Sequence, residues 1–289
     1  MARDQPESRR TYFECPRRSR QRKAGFSKAT LNYRKKLDTY RAFAVVLLVN
    51  DARGLTRETW HKVMTAIEES IPSYDQVNDL ISFGKAQLAR KYAIHQLKLR
   101  DGVTILDAGI GPGTTSKLIL STTKPKILIG LDASVKQLKA TKANLADLES
   151  GTLDVVRASF EYLPFKNSVF DGIITCYALR DSLDILKSVA EYSRVATPVG
   201  SFADVDIGKP DNSFKRWGSD LYIKHVMPLL AKMAIRNKMR TNPWKMIGPT
   251  CDSLPRNSAI LAMIREQFSV AELKEFLMGG VIVIIGQKC

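Results

Sequence analysis

Val103-Thr-Ile-Leu-Asp-Ala-Gly-Ile-Gly-Pro-Gly-Thr-Thr-Ser116 is an apolar run that enters a glycine turn, and Ile127-Leu-Ile-Gly-Leu-Asp132 is a second apolar run that ends in a carboxylate. Both read as buried strands, and the first leads straight into a helix. Gly109, Gly111 and Gly113 permit backbone dihedrals and close approaches that a side chain blocks, so a ligand can rest on the main chain itself. Asp132 stands 132 − 113 = 19 positions past the last glycine, near the roughly 20 expected for an acid that holds a ribose diol. The spacing fits an adenosine.

A dinucleotide-binding turn requires G-x-G-x-x-G, with pyrophosphate on the helix N-terminus. Counting from Gly109, the third glycine of that fingerprint falls on Thr114 and is missing. The arrangement present, Asp107-x-Gly109-x-Gly111-x-Gly113, resembles the first motif of class I S-adenosylmethionine-dependent methyltransferases. The resemblance implies S-adenosyl-L-methionine as cofactor. Asp107 would help orient its ammonium through backbone and water, and the loop amides would face its carboxylate. The competing reading is an ordinary glycine-rich turn without a ligand.

At 289 residues and 44% hydrophobic content the chain can bury a sizeable core as one large domain with extensions or as two small ones. No apolar run reaches the length of about 18 residues that suggests a membrane span. A basic N-terminus without an apolar signal core points to cytoplasmic residence. Cys15, Cys176, Cys251 and Cys289 are scattered and indicate neither zinc nor a disulfide framework. The net charge is +16, concentrated before residue 37 in Arg9, Arg10, Arg17, Arg18, Arg20, Arg22, Lys23, Lys28, Arg34, Lys35 and Lys36. Such a segment is either a solvated arm or a surface for a polyanion: an anionic membrane or, as second choice, nucleic acid.

Residues 1 to about 26 read as a flexible arm, Ser27–Val49 as a helix, and Thr56 as the start of another through Trp60, Val63, Met64 and Ile67. Pro72 interrupts, and Tyr74–Leu97 resumes a helical pattern. Strands at 103–107, 127–132, 153–157, 171–175 and 199–205 then alternate with helices at 115–122, 134–149 and 182–195. This is an α/β pattern: a Rossmann-like, mostly parallel sheet with helices on both faces, whose ligand sits beyond the carboxyl ends of the strands. Helical stretches follow from Phe214 to about Arg236 and at 258–267, separated by an irregular segment at 242–257. Ser269–Leu277 has helical propensity, but Gly279-Gly280 and Val281-Ile-Val-Ile-Ile285 argue for a C-terminal antiparallel hairpin. The expected division is 1–71, a basic arm and helical extension, and 72–289, the catalytic domain.

Glu161-Tyr-Leu-Pro-Phe-Lys-Asn-Ser-Val-Phe-Asp171, Tyr177-Ala-Leu-Arg-Asp181, Glu191-Tyr-Ser-Arg-Val195, Gly208-Lys-Pro210 and Gly279-Gly-Val-Ile-Val-Ile-Ile-Gly-Gln-Lys288 resemble the ubiquinone/menaquinone biosynthesis C-methyltransferase family. The segment from Tyr74 to Gly84 is similar to that family's opening helix. The likeness spans roughly residues 72–288 and implies cofactor contacts at Gly111, Pro112, Gly113, Asp132, Ser159, Phe160 and Cys176. It also implies that Tyr74, Asp75 and Asn78 cover the cofactor and face the substrate. Ser159 stands where an aspartate is common, and Pro112 replaces a threonine, removing a hydroxyl and an amide donor.

For carbon methylation of a prenylated quinol, the nucleophile is a ring carbon ortho to a phenolate, and a group that favours the ionised phenol is required. Arg180 is the candidate cation for that task, or else a salt-bridge partner of Asp181 or Asp184. Tyr177 either lines the ring or packs in the core. His61, His95 and His225 are isolated and unsuited as general bases. Thr175 rather than proline precedes Cys176, which therefore reads as a pocket wall and not as a nucleophile. The stripe Leu221, Val226, Leu229 and Leu230 either packs in the core or, with the basic arm, docks on an anionic leaflet. Other readings are a nucleic-acid methyltransferase and a non-catalytic binding protein of the same fold.

Overall fold

The computed structural model describes residues 54–148, 152–235, 239 and 241–288. The basic arm and the expected helix at 27–49 lie outside them. Seven strands form one sheet: β1 Thr104–Ala108, β2 Ile127–Asp132, β3 Leu153–Arg157, β4 Phe170–Cys176, β5 Ala196–Ile207, β6 Val270–Phe276 and β7 Val281–Gln287. Their order is β3-β2-β1-β4-β5-β7-β6, and only β7 runs antiparallel to its neighbours. The sheet turns back on itself between β1 and β4. Such a reversal opens a crevice at the carboxyl ends of the strands.

The hairpin read at the C-terminus is present as β6 and β7, in register from Val270↔Gln287 to Phe276↔Val281. Tertiary pairing of β6 with β7, itself paired with β5, overrides the local helical propensity of 269–277.

Successive residues of the inner strands serve opposite layers. Leu106, Ile173 and Phe202 pack with α6 (Ile185–Val195) and α10 (Asn257–Gln267), where Tyr192, Phe202 and Phe268 stack. Ile105, Ile174 and Ala203 pack with α3 (Lys85–Leu97), α4 (Thr114–Thr122) and α5 (Val135–Leu145). A strand buried on both faces must be apolar at both parities, which is why these runs read as continuous rather than alternating.

Two further layers cover the strand ends. Ahead of β1 lie α1 (Arg57–Ser70), capped by Thr56, and α2 (Tyr74–Ile81), with a 3₁₀ turn at Pro72 between them. The Tyr74–Leu97 pattern is not one helix. It breaks at Phe83 and Gly84, both with positive φ, and Ser82 Oγ accepts the Ala86 amide to start α3. Between β5 and α10, α7 (Ser213–Leu221) and α8 (Met227–Ile235) are joined by a π turn at Tyr222–Val226, and α9 spans Ile247–Asp252. That last helix and the 3₁₀ turn at Pro243–Met246 fall in the segment read as irregular, their short lengths hiding any period. Trp244 Nε1 donates to Asn78 Oδ1 at 3.0 Å and Tyr222 Oη to the Ile81 carbonyl at 2.6 Å, tying this layer to α2. Among the described residues no helix is long and apolar enough to cross a membrane.

Candidate active site

The glycine turn folds back over β2. Gly109 and Ile110 both donate to the Leu131 carbonyl, and Ile110 lies across Gly130, where a Cβ would come within 2.2 Å of its Cδ1. Gly109, Gly111 and Gly113 have φ of 80°, 55° and 94°. A Cβ on Gly109 would meet Ala178 Cβ at 2.4 Å, one on Gly113 would press on Leu145 at 3.0 Å, and one on Gly111 would meet nothing closer than 4.0 Å. Gly111 thus presents bare backbone to open space, whereas Gly113 serves the packing of the turn on α5.

Asp132 closes the opposite side. Its Oδ2 accepts the Gly111 amide at 3.0 Å and its Oδ1 the Ser134 amide at 2.9 Å. Burial raises its pKa, against the pull of those amides. Each oxygen retains a lone pair for a hydroxyl donor. The crevice, a cavity of about 90 Å³, is bordered by Gly109, Gly111, Asp132, Ser159, Phe160 and Cys176. Helix α1 roofs it with Trp60, Met64 and Ile67, held down by Ser134 Oγ donating to Glu68 at 2.7 Å and Gln137 Nε2 to the Ile67 carbonyl. Gln137 Oε1, also on this wall, is buried without a partner. A bare-backbone turn, a carboxylate at the second strand end and an orphaned acceptor suit an adenosine-bearing amino acid such as S-adenosylmethionine.

A second cavity, about 470 Å³ and mostly apolar, adjoins the first. Ile81, Ile223, Met227, Trp244 and Ile247 line it, and Tyr74, Tyr177, Arg180 and Asp181 belong to the walls of both. Arg180 Nη1 donates to Asp206 Oδ1 at 2.6 Å, and its Nε lies 3.6 Å from Asp181 Oδ1. Burial opposes the Arg180 charge, but Asp181 and Asp206 outweigh it and raise the pKa. Burial likewise pushes the Asp181 carboxyl up to about 7 despite Arg180. A carboxyl poised there, on a wall shared by two cavities, can take a proton near neutral pH.

The remaining sequence-read residues have varied places. Asp107 is fully buried, accepts from Ser116 Oγ at 2.7 Å and is raised to about 6 by burial; it touches neither cavity. Pro112 turns its carbonyl to Asn144 Nδ2. Asp75 borders neither cavity: its Oδ1 accepts from Thr114 Oγ1 at 2.7 Å, pinning α2 to the start of α4. Asn78 lines the larger cavity. The Cys176 thiol is pushed up to about 12 by burial, too high for a nucleophile at neutral pH. Asp184, the other partner considered for Arg180, instead caps α6 by accepting the Lys187 amide. Of the stripe on α7 and α8, Leu221, Val226 and Leu229 are exposed and only Leu230 packs on the core, because Ile223, Met227 and Ala231 take the inward positions.

Sequence reading missed Arg90, Asp206 as the partner of Arg180, and the role of Asp181. A signal for Arg90 existed: with Ala86, Ala89, Ala93, Ile94 and Leu97 it occupies the inward face of α3.

Comparison with known proteins agrees with this geometry. The ubiE/COQ5 methyltransferase family matches residues 54–288, and the chain belongs to that family. It is an S-adenosylmethionine-dependent methyltransferase. Among its relatives, the ubiquinone/menaquinone biosynthesis C-methyltransferase of Syntrophotalea carbinolica is 25% identical over 74% of this chain and 88% of its own. The demethylmenaquinone methyltransferase of Desulfitobacterium hafniense is 28% identical over 74% and 85%. In fold it is similar to phosphoethanolamine N-methyltransferase 2 of Haemonchus contortus in complex with S-adenosyl-L-methionine, with a TM-score of 0.50, 13% identity and coverage of 65% and 38%. The MccD protein gives a TM-score of 0.51 at 14% identity over 70% and 96%.

Proposed function

We propose that the protein methylates a ring carbon of a prenylated quinol of the kind its relatives' names specify, within menaquinone- or ubiquinone-type biosynthesis. The observation that carries this reading is the apolar cavity of about 470 Å³ that shares Tyr74, Tyr177, Arg180 and Asp181 with the crevice beside the glycine turn. Bound S-adenosylmethionine supplies a sulfonium methyl, an electrophile open to attack by carbon. The chain holds and polarises the acceptor. Asp132 grips the ribose hydroxyls, the backbone of Gly109 and Gly111 faces the amino-acid end, and Ser159, Phe160 and Cys176 bound the remaining side. Asp181 takes the proton of a ring hydroxyl, placing electron density on the ortho carbon, which bonds the methyl as the S–C electron pair leaves with sulfur. Arg180, fixed by Asp206, steadies the resulting oxygen charge, while Tyr74 and Tyr177 bracket the ring beside Asn78. The methylated carbon then loses its hydrogen as a proton to solvent, and Asp181 returns its own proton to the ring oxygen. The unit 72–289 carries the chemistry, and the extension before it contributes α1 as a roof.

The prenyl tail leaves through the mouth of the apolar cavity. Phe83 (65% exposed) and Met278 (70%) stand there, with Leu277 beside them, all three with positive φ, a conformation that large side chains rarely adopt. Phe214 and Trp217 continue the exposed apolar surface along α7, next to Lys215. This rim rests on an anionic membrane, the aromatic side chains at headgroup depth and the basic residues on the phosphates.

Incubation with methyl-labelled cofactor and separate lipid and RNA extracts tests the assignment. Label in a reduced-quinone fraction is expected; label in RNA alone would transfer the activity to a nucleic acid and the basic arm.

A further inference from the structure

Among the described residues, Arg90 is the buried cation whose charge the mechanism above leaves unused. It is 2% exposed, yet among the described residues it donates no hydrogen bond and forms no ion pair, and its Nε is buried without a partner. It lies over the face of Tyr177, 4.8 Å from the guanidinium carbon to the ring centroid. Arg180, by contrast, is held by Asp206 at 2.6 Å, with Asp181 3.6 Å away. Burying an ion costs several kcal/mol unless an opposite charge compensates it, and a ring face supplies only a fraction of that. Arg90 lines the apolar cavity beside Tyr74, whose phenol also makes no hydrogen bond among the described residues. A planar five-donor fork at a cavity wall, with no hydrogen bond among the described residues, is suited to receive an anionic oxygen.

We propose that Arg90 forms an anion subsite on the wall of the apolar cavity, beside Tyr74 and Tyr177 which that cavity shares with the crevice, where its fork receives a negatively charged oxygen carried by a ligand. Two ligands can bring one: the cofactor, through its carboxylate, and the acceptor, through an ionised ring oxygen. The second source rests on the quinol reading above; the first is independent of it. Asp107 and Asp75 act on the cation only across space, and binding supplies a paired oxygen.

The test uses the full chain as wild type, Arg90→Met and Arg90→Lys. Calorimetry reads S-adenosylhomocysteine, which has the carboxylate, against 5′-methylthioadenosine, which keeps the nucleoside and thioether but lacks the amino acid. Steady-state KM is read with a short-chain prenylated naphthoquinol. If the cofactor is the source, R90M loses tenfold or more in S-adenosylhomocysteine affinity and none for methylthioadenosine. If the acceptor is the source, both nucleosides bind unchanged and the quinol KM rises at least tenfold. R90K, which keeps the charge without the fork, falls between in either case. Removing an unpaired buried charge should also leave the ligand-free Tm of R90M equal to or above that of wild type, the opposite of what a structural arginine would show. Unchanged binding of all three probes by R90M would overturn the proposal, as would equal losses for the two nucleosides. Inactivity toward the quinol in wild type itself would count against the acceptor reading and leave the nucleoside comparison standing.

Discussion

In the proposed mechanism Asp132 and Asp181 carry separate duties, and each can be tested alone. Asp132→Asn halves the acceptor capacity that now serves two amides and a ligand. It should weaken S-adenosylhomocysteine at least tenfold by calorimetry while the protein still folds; undiminished affinity would remove the ribose role. Asp181 is raised to about 7 by burial, so its basic form appears as pH rises through that value. The account expects kcat/KM to climb with pH through about 7 and then level off. Asp181→Asn should lower the rate by about 10²-fold or more and flatten that limb, in the range general-base removal gives. A limb that survives the substitution belongs to another group. At this scale Asp132 was legible because two strands and a turn fix its place through local spacing alone. Asp206 and Arg90 meet the site only after β5 and α3 pack against it, contacts of long sequence separation that no local pattern contains. For Asp75 the helical spacing was right, but Thr114 captures the carboxylate across the fold.

The elements explain how a tight turn stays open. Gly109→Ala combines a positive φ of 80° with a Cβ 2.4 Å from Ala178. It should destabilise the protein by about 1–3 kcal/mol, the range for a strained backbone position, and weaken cofactor binding further. Denaturant unfolding with and without S-adenosylhomocysteine reads both effects. Strand positions were legible to within a few residues because burial on both faces leaves uninterrupted apolar runs, β3 and β2 matching their expected spans. Helix boundaries were less so. Ser182 caps the end of a 3₁₀ turn at Leu179–Asp181 rather than starting a helix, and α6 starts only where Asp184 caps it. The break at Phe83–Gly84 was hidden because a single glycine in a polar stretch looks tolerable in a helix. On α7, replacing Phe214 and Trp217 by serine should reduce sedimentation with phosphatidylglycerol vesicles at low salt and leave methylation of a detergent-dispersed quinol intact. Equal sedimentation of variant and wild type would place the lipid contact elsewhere.

Over the whole molecule, buried carboxyls set an unusual dependence of stability on pH. Burial raises Asp107 to about 6, Asp181 to about 7 and Asp204 well above its usual range, the last helped by Asp206. These groups keep protons in the folded state that the unfolded chain releases near about 3.9. The folded state then binds more protons, so their contribution to stability falls as pH rises from about 4 to about 7. Glu68 and Glu191 are lowered by Lys136 and Arg194 and act with opposite sign, below that window. The Tm of the ligand-free protein should therefore decline from pH 5 to pH 8, and Asp204→Asn should flatten the decline. The same buried carboxyls and the Arg90 guanidinium lie between a polar crevice and an apolar cavity, the division that methyl transfer to a lipophilic ring requires. The most direct measurement is a single turnover with carbon-13 methyl-labelled S-adenosylmethionine and a prenylated naphthoquinol, followed by NMR of the extracted product. The account predicts the label as a methyl on a ring carbon. A methoxy signal, or label that stays on the cofactor, would contradict it.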